Sequence, residues 1–372
     1  MEGPSRWRHI VLAVLTTSGL TLIAIPAWAQ NLVITTLAGT APTSGYADGP
    51  GRTASFFLPT SVAADSQGNV FVADAANQLI RRIDVQGIVS TLAGVAGETG
   101  ENDGAANSAH FRNPNGVAVD RVGNVFVADT DNCTIRRIGL DGLVSTLAGT
   151  AGSCGSTDGS GPVASFGHPT GLVVDGDGTI FVADRSNHAI RRITSDRFVS
   201  TFAGSPGQPG SVDGRRLEAR FAFPFSITID RTGNLYVPDT SSHTIRRISL
   251  DGTVTTFCGT PDVRGAMDGP CTAARFDHPS SLAFDDLGNL YVAESEGETI
   301  RRISPDGNVS SVAGVTGLPG YRDGLGSAAI FSHPFGLAVA PDGSVIIADT
   351  FNQSVRSGSA VPTSSRRRPA HR

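Results

Sequence analysis

Residues 124–138 read Asn-Val-Phe-Val-Ala-Asp-Thr-Asp-Asn-Cys-Thr-Ile-Arg-Arg-Ile, and variants of this stretch occur six times in the 372-residue chain. Corresponding residues are 55 positions apart throughout. A fixed period of this length indicates a solenoid, a propeller or a repeat array. The landmarks of the six copies are an opening proline (Pro59, Pro114, Pro169, Pro224, Pro279, Pro334), an acid (Asp74, Asp129, Asp184, Asp239, Glu294, Asp349) and an arginine pair that is single in the last copy (Arg81/Arg82, Arg136/Arg137, Arg191/Arg192, Arg246/Arg247, Arg301/Arg302, Arg356).

Each repeat contains four short segments with strand character. In the second repeat these are 116–119, 124–128, 134–138 and 143–148, rich in Val, Ile, Phe and Leu, and an Asp-Gly pair precedes the last. β-Branched and aromatic residues favour strands, and Asp-Gly favours a hairpin turn. Six repeats of four antiparallel strands predict an all-β fold, a six-bladed β-propeller of four-stranded blades.

The two ends of the repeat region complement each other. Residues 33–39, Val-Ile-Thr-Thr-Leu-Ala-Gly, match the fourth strand of a repeat, whereas the sixth repeat lacks that strand after Arg356. Open solenoids use capping units instead of such an exchange. We therefore predict that the N-terminal strand completes the last blade and closes the ring.

The shared pattern Phe-x-x-Pro-x-Gly-Val-Ala-Val-Asp-x-x-Gly-Asn-Val-Phe-Val-Ala-Asp-x-x-Asn-x-x-Ile-Arg-Arg-Ile resembles the NHL repeat over residues 31–356. The long Asp-Gly connection is similar to that of secreted bacterial NHL proteins and of the teneurin-type NHL domain. The resemblance implies an interaction scaffold, which most NHL propellers are. It also implies an alternative, because a minority are enzymes such as peptidyl-amidoglycolate lyase, and related six-bladed propellers include lactonases.

The N-terminal 29 residues have the pattern of a secretory signal peptide. Arg6 and Arg8 precede a mostly apolar run over 10–25, and Ala-Trp-Ala at 27–29 predicts cleavage before Gln30. The alternative is a retained membrane anchor, for which the apolar run is slightly short. Residues 30–357 are assigned to the propeller, and residues 358–372, rich in Ser, Pro and Arg, to a disordered basic tail. We expect an exported protein, periplasmic or extracellular, with no transmembrane segment after cleavage.

The charge balance argues against a nucleic-acid partner. The chain has 29 basic residues, all arginine, against 34 acids, for a formal net charge of −5. Six of the arginines lie in the two terminal segments, so the repeats themselves are distinctly acidic. Nucleic-acid-binding domains are typically basic. We expect a monomer that binds a protein or a carbohydrate.

The arginine pairs are interpreted as structural. Adjacent strand residues point to opposite faces, so each blade interface should receive one arginine of each pair. Buried arginine requires a partner, and bidentate pairing with carboxylates explains the absence of lysine. Twelve acids recur with the period of the eleven arginines: the six strand-end acids named above and the connection residues Asp48, Asp103, Asp158, Asp213, Asp268 and Asp323.

Three histidines, His168, His278 and His333, stand immediately before strand-opening prolines. These positions should lie near the propeller axis on one face, and we take the three as candidate ligand-binding residues. Three convergent imidazoles could hold zinc and leave a position open for water. However, His-Pro is common here in NHL repeats without metal, and the three come from an asymmetric set of blades. No cofactor is therefore predicted, and zinc or calcium at these histidines is the alternative.

No catalytic residue is predicted. Active sites need different residues in different roles, whereas Asp65, Asp120, Asp175, Asp230 and Asp285 recur at the turn after the first strand as turn formers. We find no Ser-His-Asp order, phosphate-binding loop or dinucleotide fingerprint. The positions that break the repeat are more informative: Phe223, Phe225, Pro238, Glu294 and Ala340.

The four cysteines allow three disulfide connectivities. Cys133 and Cys154 interrupt the second repeat and its following connection, and Cys258 and Cys271 do so around the fourth. Because each pair joins elements expected on the same face, we predict Cys133–Cys154 and Cys258–Cys271. Free or mispaired thiols are the alternative.

The expected strand order gives the propeller two unlike faces. The turns between second and third strands and the long connections emerge on one side, which we call the long-loop face, whereas the other, the tight-turn face, has only turns such as 120–123. Loops on a rigid scaffold usually carry function. We interpret the protein as a binding or scaffold module whose partner contacts the long-loop face near the three histidines. The alternatives are a metal-dependent lyase or lactonase-like hydrolase at the channel mouth, and long connections that only brace neighbouring blades.

Overall fold

Each 55-residue repeat folds into one blade, and six blades surround a central channel in a computed structural model that describes residues 9–16, 19–26 and 31–361. Within a blade the four main strands are antiparallel and run outward from the channel in chain order, except in blade 6, where the N-terminal strand takes the fourth place. In chain order the strands are β1 (His9–Thr16), β2 (Gly19–Pro26) and β3 (Leu32–Ala38); in blade 1, β4 (Gly49–Pro50), β5 (Pro59–Ala64), β6 (Val70–Asp74), β7 (Leu79–Ile83) and β8 (Ile88–Ala93); in blade 2, β9 (Gly104–Ala105), β10 (Pro114–Val119), β11 (Val125–Asp129), β12 (Thr134–Ile138) and β13 (Leu143–Ala148); in blade 3, β14 (Gly159–Ser160), β15 (Pro169–Val174), β16 (Ile180–Asp184), β17 (Ala189–Ile193) and β18 (Phe198–Ala203); in blade 4, β19 (Gly214–Arg215), β20 (Thr228–Ile229), β21 (Leu235–Asp239), β22 (Thr244–Ile248) and β23 (Thr253–Cys258); in blade 5, β24 (Gly269–Pro270), β25 (Pro279–Phe284), β26 (Leu290–Glu294), β27 (Thr299–Ile303) and β28 (Asn308–Gly314); and in blade 6, β29 (Gly324–Leu325), β30 (Pro334–Val339), β31 (Val345–Asp349) and β32 (Ser354–Ala360).

Every blade has five strands, one more than predicted. The additional strand has two residues, comes from the long connection and pairs with the outermost main strand, as β9 does with Leu143 and Val144 of β13. The connection also bridges neighbouring blades, because Gly94 N donates to Ala106 O and Ala106 N donates to Gly142 O. The long connections therefore seal the outer rim between blades, as the bracing alternative proposed.

The N-terminal strand closes the ring, as predicted. β3 lies in blade 6 between β32 and the short β29. Its pairing with β32 extends from Ala38 opposite Val355 to Leu32 opposite Ala360. The predicted start of the tail at Gly358 is therefore wrong, because β3 gives residues 358–360 a strand partner.

The terminal segments are described in part. Residues 9–16 and 19–26, within the predicted signal segment, form an antiparallel hairpin. The cleavage site before Gln30 and residues 362–372 lie outside the described residues. No helix in the described ranges has both the length and the apolar character to cross a membrane.

The innermost strands approach one another closely at small residues. A Cβ added to Gly116 would lie 1.8 Å from Thr170 O of the next blade, and one added to Gly336 would lie 2.7 Å from Thr60 O. Only glycine permits this backbone contact between blades. The six inner strands enclose a channel cavity of about 230 Å³.

Blade 4 departs from the repeat at its inner strand. Pro238 stands in β21 where the other blades have alanine, and proline offers no N–H to a neighbouring strand. The inner strand β20 accordingly begins only at Thr228, and Pro224 keeps a single bridge to Asp239. Phe225 thus lies in an irregular segment between that bridge and the strand.

Two disulfides have the predicted connectivity, Cys133–Cys154 and Cys258–Cys271, and the described residues contain no free cysteine. The first joins the turn that follows β11 to the next long connection. The second joins the end of β23 to the residue after β24.

Candidate functional site

The first arginine of each repeat is fully buried in a polar network. Arg136 Nη1 donates to Asp129 Oδ2 at 2.8 Å, and Nη2 donates to Asp103 Oδ1 at 2.6 Å. The carbonyls of His110 and Asn102 accept further bonds at 3.0 Å each. The same two-acid arrangement recurs in all six blades, at Arg81, Arg136, Arg191, Arg246, Arg301 and Arg356.

The second arginine of each pair does not join these acids, contrary to expectation. Arg82 and Arg137 donate instead to the side-chain oxygens of Asn69 and Asn124. The physical reason is that both acid sets converge on the first guanidinium, whose planar group accommodates them together. Within the described residues the correction applies to Arg82, Arg137, Arg192, Arg247 and Arg302, for which no ion pair with the periodic acids occurs.

Burial and pairing act on the strand-end acids in opposite directions. Burial raises the pKa of Asp74 to about 6, while the charge of Arg81 and hydrogen bonds from Asn77 and Phe57 oppose that rise. Burial likewise raises the pKa of Asp239 to about 7 against the charge of Arg246. These acids are structural, because every blade uses them in the same way.

A ring of hydrogen bonds joins neighbouring blades at the long-loop face. The acceptor is the side chain of the residue that follows the turn between the second and third strands of a blade. At five of the six junctions it accepts a hydrogen bond from the backbone N–H of the residue immediately before the opening proline of the next blade. Both residues have left-handed backbone geometry, as at His243 with φ 56° and His278 with φ 48°. The accepting residues are Gln78, His188, His243, Glu298 and Gln353.

The structure does not gather the three predicted histidines into one ligand set. His278 shares a cluster of possible metal ligands with His243 and Asp277, whereas His168 lies beside the Cys133–Cys154 disulfide, and neither cluster includes His333. His278 Nδ1 is 2.8 Å from Asp277 Oδ1. His243 Nδ1 accepts from His278 N, so its position is set by the fold. Burial lowers the pKa of His243, which favours the neutral ring that this acceptance requires.

His333 lies against acids and aromatic rings. Its Nδ1 is 3.2 Å from Glu298 Oε1, and its ring stacks on Phe351 with centroids 4.2 Å apart. Glu298 Oε2 accepts from His333 N at 2.6 Å. Burial raises the pKa of Glu298 to about 7.

Aromatic side chains converge at the mouth of the channel on the long-loop face. Phe225 of blade 4 and Phe335 of blade 6 have ring centroids 5.3 Å apart, although blade 5 separates their strands. Phe223 is 38% exposed and Phe351 48% exposed at its flanks. In the other repeats the positions of Phe225 and Phe335 hold Thr60, Asn115, Thr170 and Ser280. We call Phe223, Phe225, Phe335 and Phe351 the aromatic floor.

Arg185 lies over this floor. Its guanidinium carbon is 5.6 Å from the ring centroid of Phe223 and 5.7 Å from that of Phe225. The residue as a whole is exposed, but the neighbouring rings partly exclude water from its guanidinium, and this desolvation lowers its pKa. The repeat pattern had singled out both phenylalanines, but it did not point to Arg185. The available signal was its contrast with the small residues at this position in the other repeats.

The tight-turn face offers more concave surface than predicted. A groove of about 500 Å³ lies between blades 4 and 5, with Tyr236, Phe257 and Phe284 on its walls. Comparable grooves of about 370 and 390 Å³ lie at other blade junctions of that face. Their recurrence identifies them as a product of blade packing, whereas the aromatic floor occurs once.

A family model described as "NHL repeat" matches residues 111–138 and 166–193. NHL repeat-containing protein 2 of Bos taurus is 28% identical over 337 residues, which cover 80% of this chain and 46% of the relative. Teneurin-m of Drosophila melanogaster is 28% identical over 362 residues, which cover 86% of this chain and 13% of the relative. The chain thus spans less than half the length of these curated relatives.

Solved structures share the architecture. The crystal structure of an auxiliary nutrient binding protein from Bacteroides ovatus has a TM-score of 0.67 at 19% identity, and the match covers 90% of this chain and 78% of that protein's chain. A gluconolactonase from Xanthomonas campestris has a TM-score of 0.58 at 16% identity, with coverage of 95% and 99%. At these identities the likeness shows the fold alone. With the repeat match, the relatives and the six blades together, the chain contains NHL repeats and has the fold of a six-bladed β-propeller.

Proposed function

We propose that this protein is an exported binding module that holds a carbohydrate ligand on the aromatic floor of the long-loop face. The observation that carries the proposal is the contact between Phe225 and Phe335, which brings two partly exposed rings from non-adjacent blades to the channel mouth. The propeller fold does not require this contact between aromatic rings, because four of the six repeats have small polar residues at the corresponding position. Aromatic side chains with a few polar groups are typical of ligand sites.

Export is the second part of the proposal. Two disulfides fit an oxidising compartment, in agreement with the signal-peptide pattern of residues 1–29. The similar structure from Bacteroides ovatus is that of an auxiliary nutrient binding protein, which supports a binding role for this chain. Sequencing of the exported protein should give an N-terminus at Gln30, and a membrane-bound chain that begins at Met1 would contradict export.

The binding role is tested on an array of neutral and acidic oligosaccharides. The double variant Phe225→Thr with Phe335→Thr restores residues that other repeats have at this position, as at Thr60 and Thr170. It should fold and lose retention of the oligosaccharides that the wild type binds. Leu287→Thr, at an 81% exposed residue of the tight-turn face, is the control and should bind normally. Equal retention by the double variant would contradict the proposed site, and a protein partner that needs both rings would change the ligand class.

A metal-dependent lyase or lactonase-like hydrolase is the second candidate. It is favoured by His243, Asp277 and His278, whose possible ligand atoms lie within 4.8 Å of one another. The Asp277–His278 contact would orient the imidazole and increase its basicity. Protein purified with zinc or calcium should then bind the metal, and hydrolysis or elimination should depend on His278. Arg264, which is 2.8 Å from Asp277 Oδ1, would have to release that carboxylate.

A further inference from the structure

We infer that the ligand of the channel mouth carries a carboxylate and that Arg185 is the residue that recognises it. The inference rests on the proposed function, because it places the anion beside the aromatic floor. It adds the chemical class of the ligand, an acidic saccharide with a uronic acid unit. It also assigns a specificity-determining residue outside the three candidate histidines.

The repeat shows that the fold does not require arginine at position 185. The corresponding residues of the other blades are Ala75, Thr130, Thr240, Ser295 and Thr350, all of them small. Three of these, Thr130, Thr240 and Thr350, donate to the carbonyl of an opening proline in the next blade at 2.7–2.8 Å. Blade 3 lacks this hydrogen bond to the proline carbonyl and has a guanidinium group at the channel mouth instead.

Arg185 differs from the buried arginines in its partners. Each fully buried arginine binds two carboxylates, as Arg191 does with Asp158 and Asp184 in the same blade. Within residues 31–361, the Arg185 side chain has no carboxylate within ion-pair distance and no hydrogen-bond acceptor. Its contacts are the faces of Phe223 and Phe225, which leave the N–H groups at the edge of the guanidinium plane.

This arrangement suits an anionic ligand better than a neutral one. Guanidinium is planar, permanently charged and matches a carboxylate with two parallel hydrogen bonds. The two phenylalanines hold it in place, so less side-chain entropy is lost when the ligand binds. The same oxyanion chemistry is offered by sulfated sugars, but the bidentate fit favours the planar carboxylate. The ring of a uronic acid could lie on Phe225 while its carboxylate meets Arg185.

The test is isothermal titration of the full-length protein with oligogalacturonides and with the same oligosaccharides fully methyl-esterified. Esterification removes the charge but keeps the sugar rings. The wild type should bind the acid form about 10- to 100-fold more tightly than the ester, the range expected for charge-assisted hydrogen bonds. Arg185→Thr should remove that preference, so that the acid form and the ester bind with similar affinity. The substitution restores the residue of three other repeats, so its melting temperature should match that of the wild type.

Three further variants, titrated in the same way, distinguish the contribution of the aromatic rings from that of the arginine charge. Phe225→Thr should weaken both forms, because it removes one ring of the aromatic floor and with it a contact that holds Arg185. Arg185→Lys should retain only part of the preference for the acid form, since lysine keeps the positive charge but lacks the two parallel N–H donors of the planar guanidinium. Arg121→Gln, an exposed arginine of the tight-turn face, is the matched control and should change nothing.

Each contrary outcome has a defined meaning. Equal binding of acid and ester by the wild type would overturn the carboxylate assignment while the proposed function stands. Loss of preference in Arg121→Gln but not in Arg185→Thr would overturn the residue assignment. Arg185-dependent binding of a sulfated oligosaccharide without binding of the galacturonide would overturn the choice of carboxylate. Absence of binding of both galacturonide forms to the wild type would overturn the uronic acid assignment, and array hits that still require Phe225 and Phe335 would leave the proposed function standing.

Discussion

Arg136 illustrates why the repeat uses arginine and never lysine at its buried cationic position. One planar group reaches two carboxylates and two backbone carbonyls, and it also lies 5.3 Å from the ring centroid of the buried Phe111. An ammonium group has three donors and no plane, so it could not serve the same four acceptors and the ring. The buried arginine thus connects the third strand, the strand-end acid and the long connection of one repeat.

Removal of this arginine should cost much more than removal of its neighbour. Arg136→Met leaves Asp129 buried without its counter-charge, and breaking a buried ion pair in this way costs about 3–5 kcal/mol. Arg137→Met removes a hydrogen bond to Asn124 and should cost about 1 kcal/mol. The guanidinium-denaturation midpoints of the two variants measure the difference. Equal losses would show that the two-acid network does not stabilise the blade.

Glu298 should make stability depend on pH. Its folded pKa of about 7 lies above the ordinary value of 4.5, because burial disfavours the carboxylate. The folded state therefore holds the proton more tightly than the unfolded state. Stability from this group is fully present below pH 4.5, declines as pH rises, and is lost above pH 7.

The matched variant is Glu298→Gln, because Gln353 and Gln78 make the same bond at other junctions. At pH 8 it should be more stable than the wild type by up to about 3 kcal/mol, and the gain should vanish below pH 4.5. Thermal denaturation of both proteins between pH 4 and 8 measures the crossover. A difference that does not change with pH would contradict the assignment.

At the level of secondary-structure elements, ring closure depends on β3. This strand pairs on one side with β32 and on the other with the short β29, so it supplies two sets of backbone hydrogen bonds to blade 6. Sequence could predict this arrangement because residues 33–39 repeat the fourth-strand pattern. It did not predict the short edge strands, because two residues are too few to show the alternation of a strand, although each begins at a glycine that recurs with the 55-residue period.

Deletion of residues 31–38 should open the ring. The edge of β32 would lose its partner, and unpaired edges promote aggregation. We expect a lower melting temperature and precipitation on heating, measured by scanning calorimetry and light scattering. Deletion of residues 362–372, which lie outside the described strands, is the control and should have little effect. Unchanged melting after the N-terminal deletion would mean that blade 6 does not need β3.

Each disulfide should stabilise by constraining the unfolded chain. The bridges span 21 and 13 residues, for which the chain-entropy relation gives about 3 kcal/mol each. Paired Cys→Ser replacements at 133 and 154, or at 258 and 271, should therefore lower the denaturation midpoint by similar amounts. A replacement without effect would show that the surrounding hydrogen bonds fix the connection without the bridge.

Across the whole molecule, residues that follow the 55-residue repeat build the fold, whereas residues that depart from it form the proposed site. The six-fold pattern carried enough information to predict blade number, strand order and closure, because each repeat must bury the same face. It led to one error about position, because both acid sets were shared between the two arginines of a pair, whereas both bind the first. Contacts such as Phe225 with Phe335 join distant repeats, so no local periodicity could reveal them.

The location of the ligand is the central claim, and hydrogen–deuterium exchange of the full-length protein measures it directly. The probe is the oligosaccharide that the array selects with the highest affinity, added at saturating concentration. We predict slower exchange in the backbone of residues 185–188, 223–226 and 333–336, which surround the aromatic floor. Protection confined to residues 230–232 and 285–288, at the groove of the tight-turn face, would contradict the account.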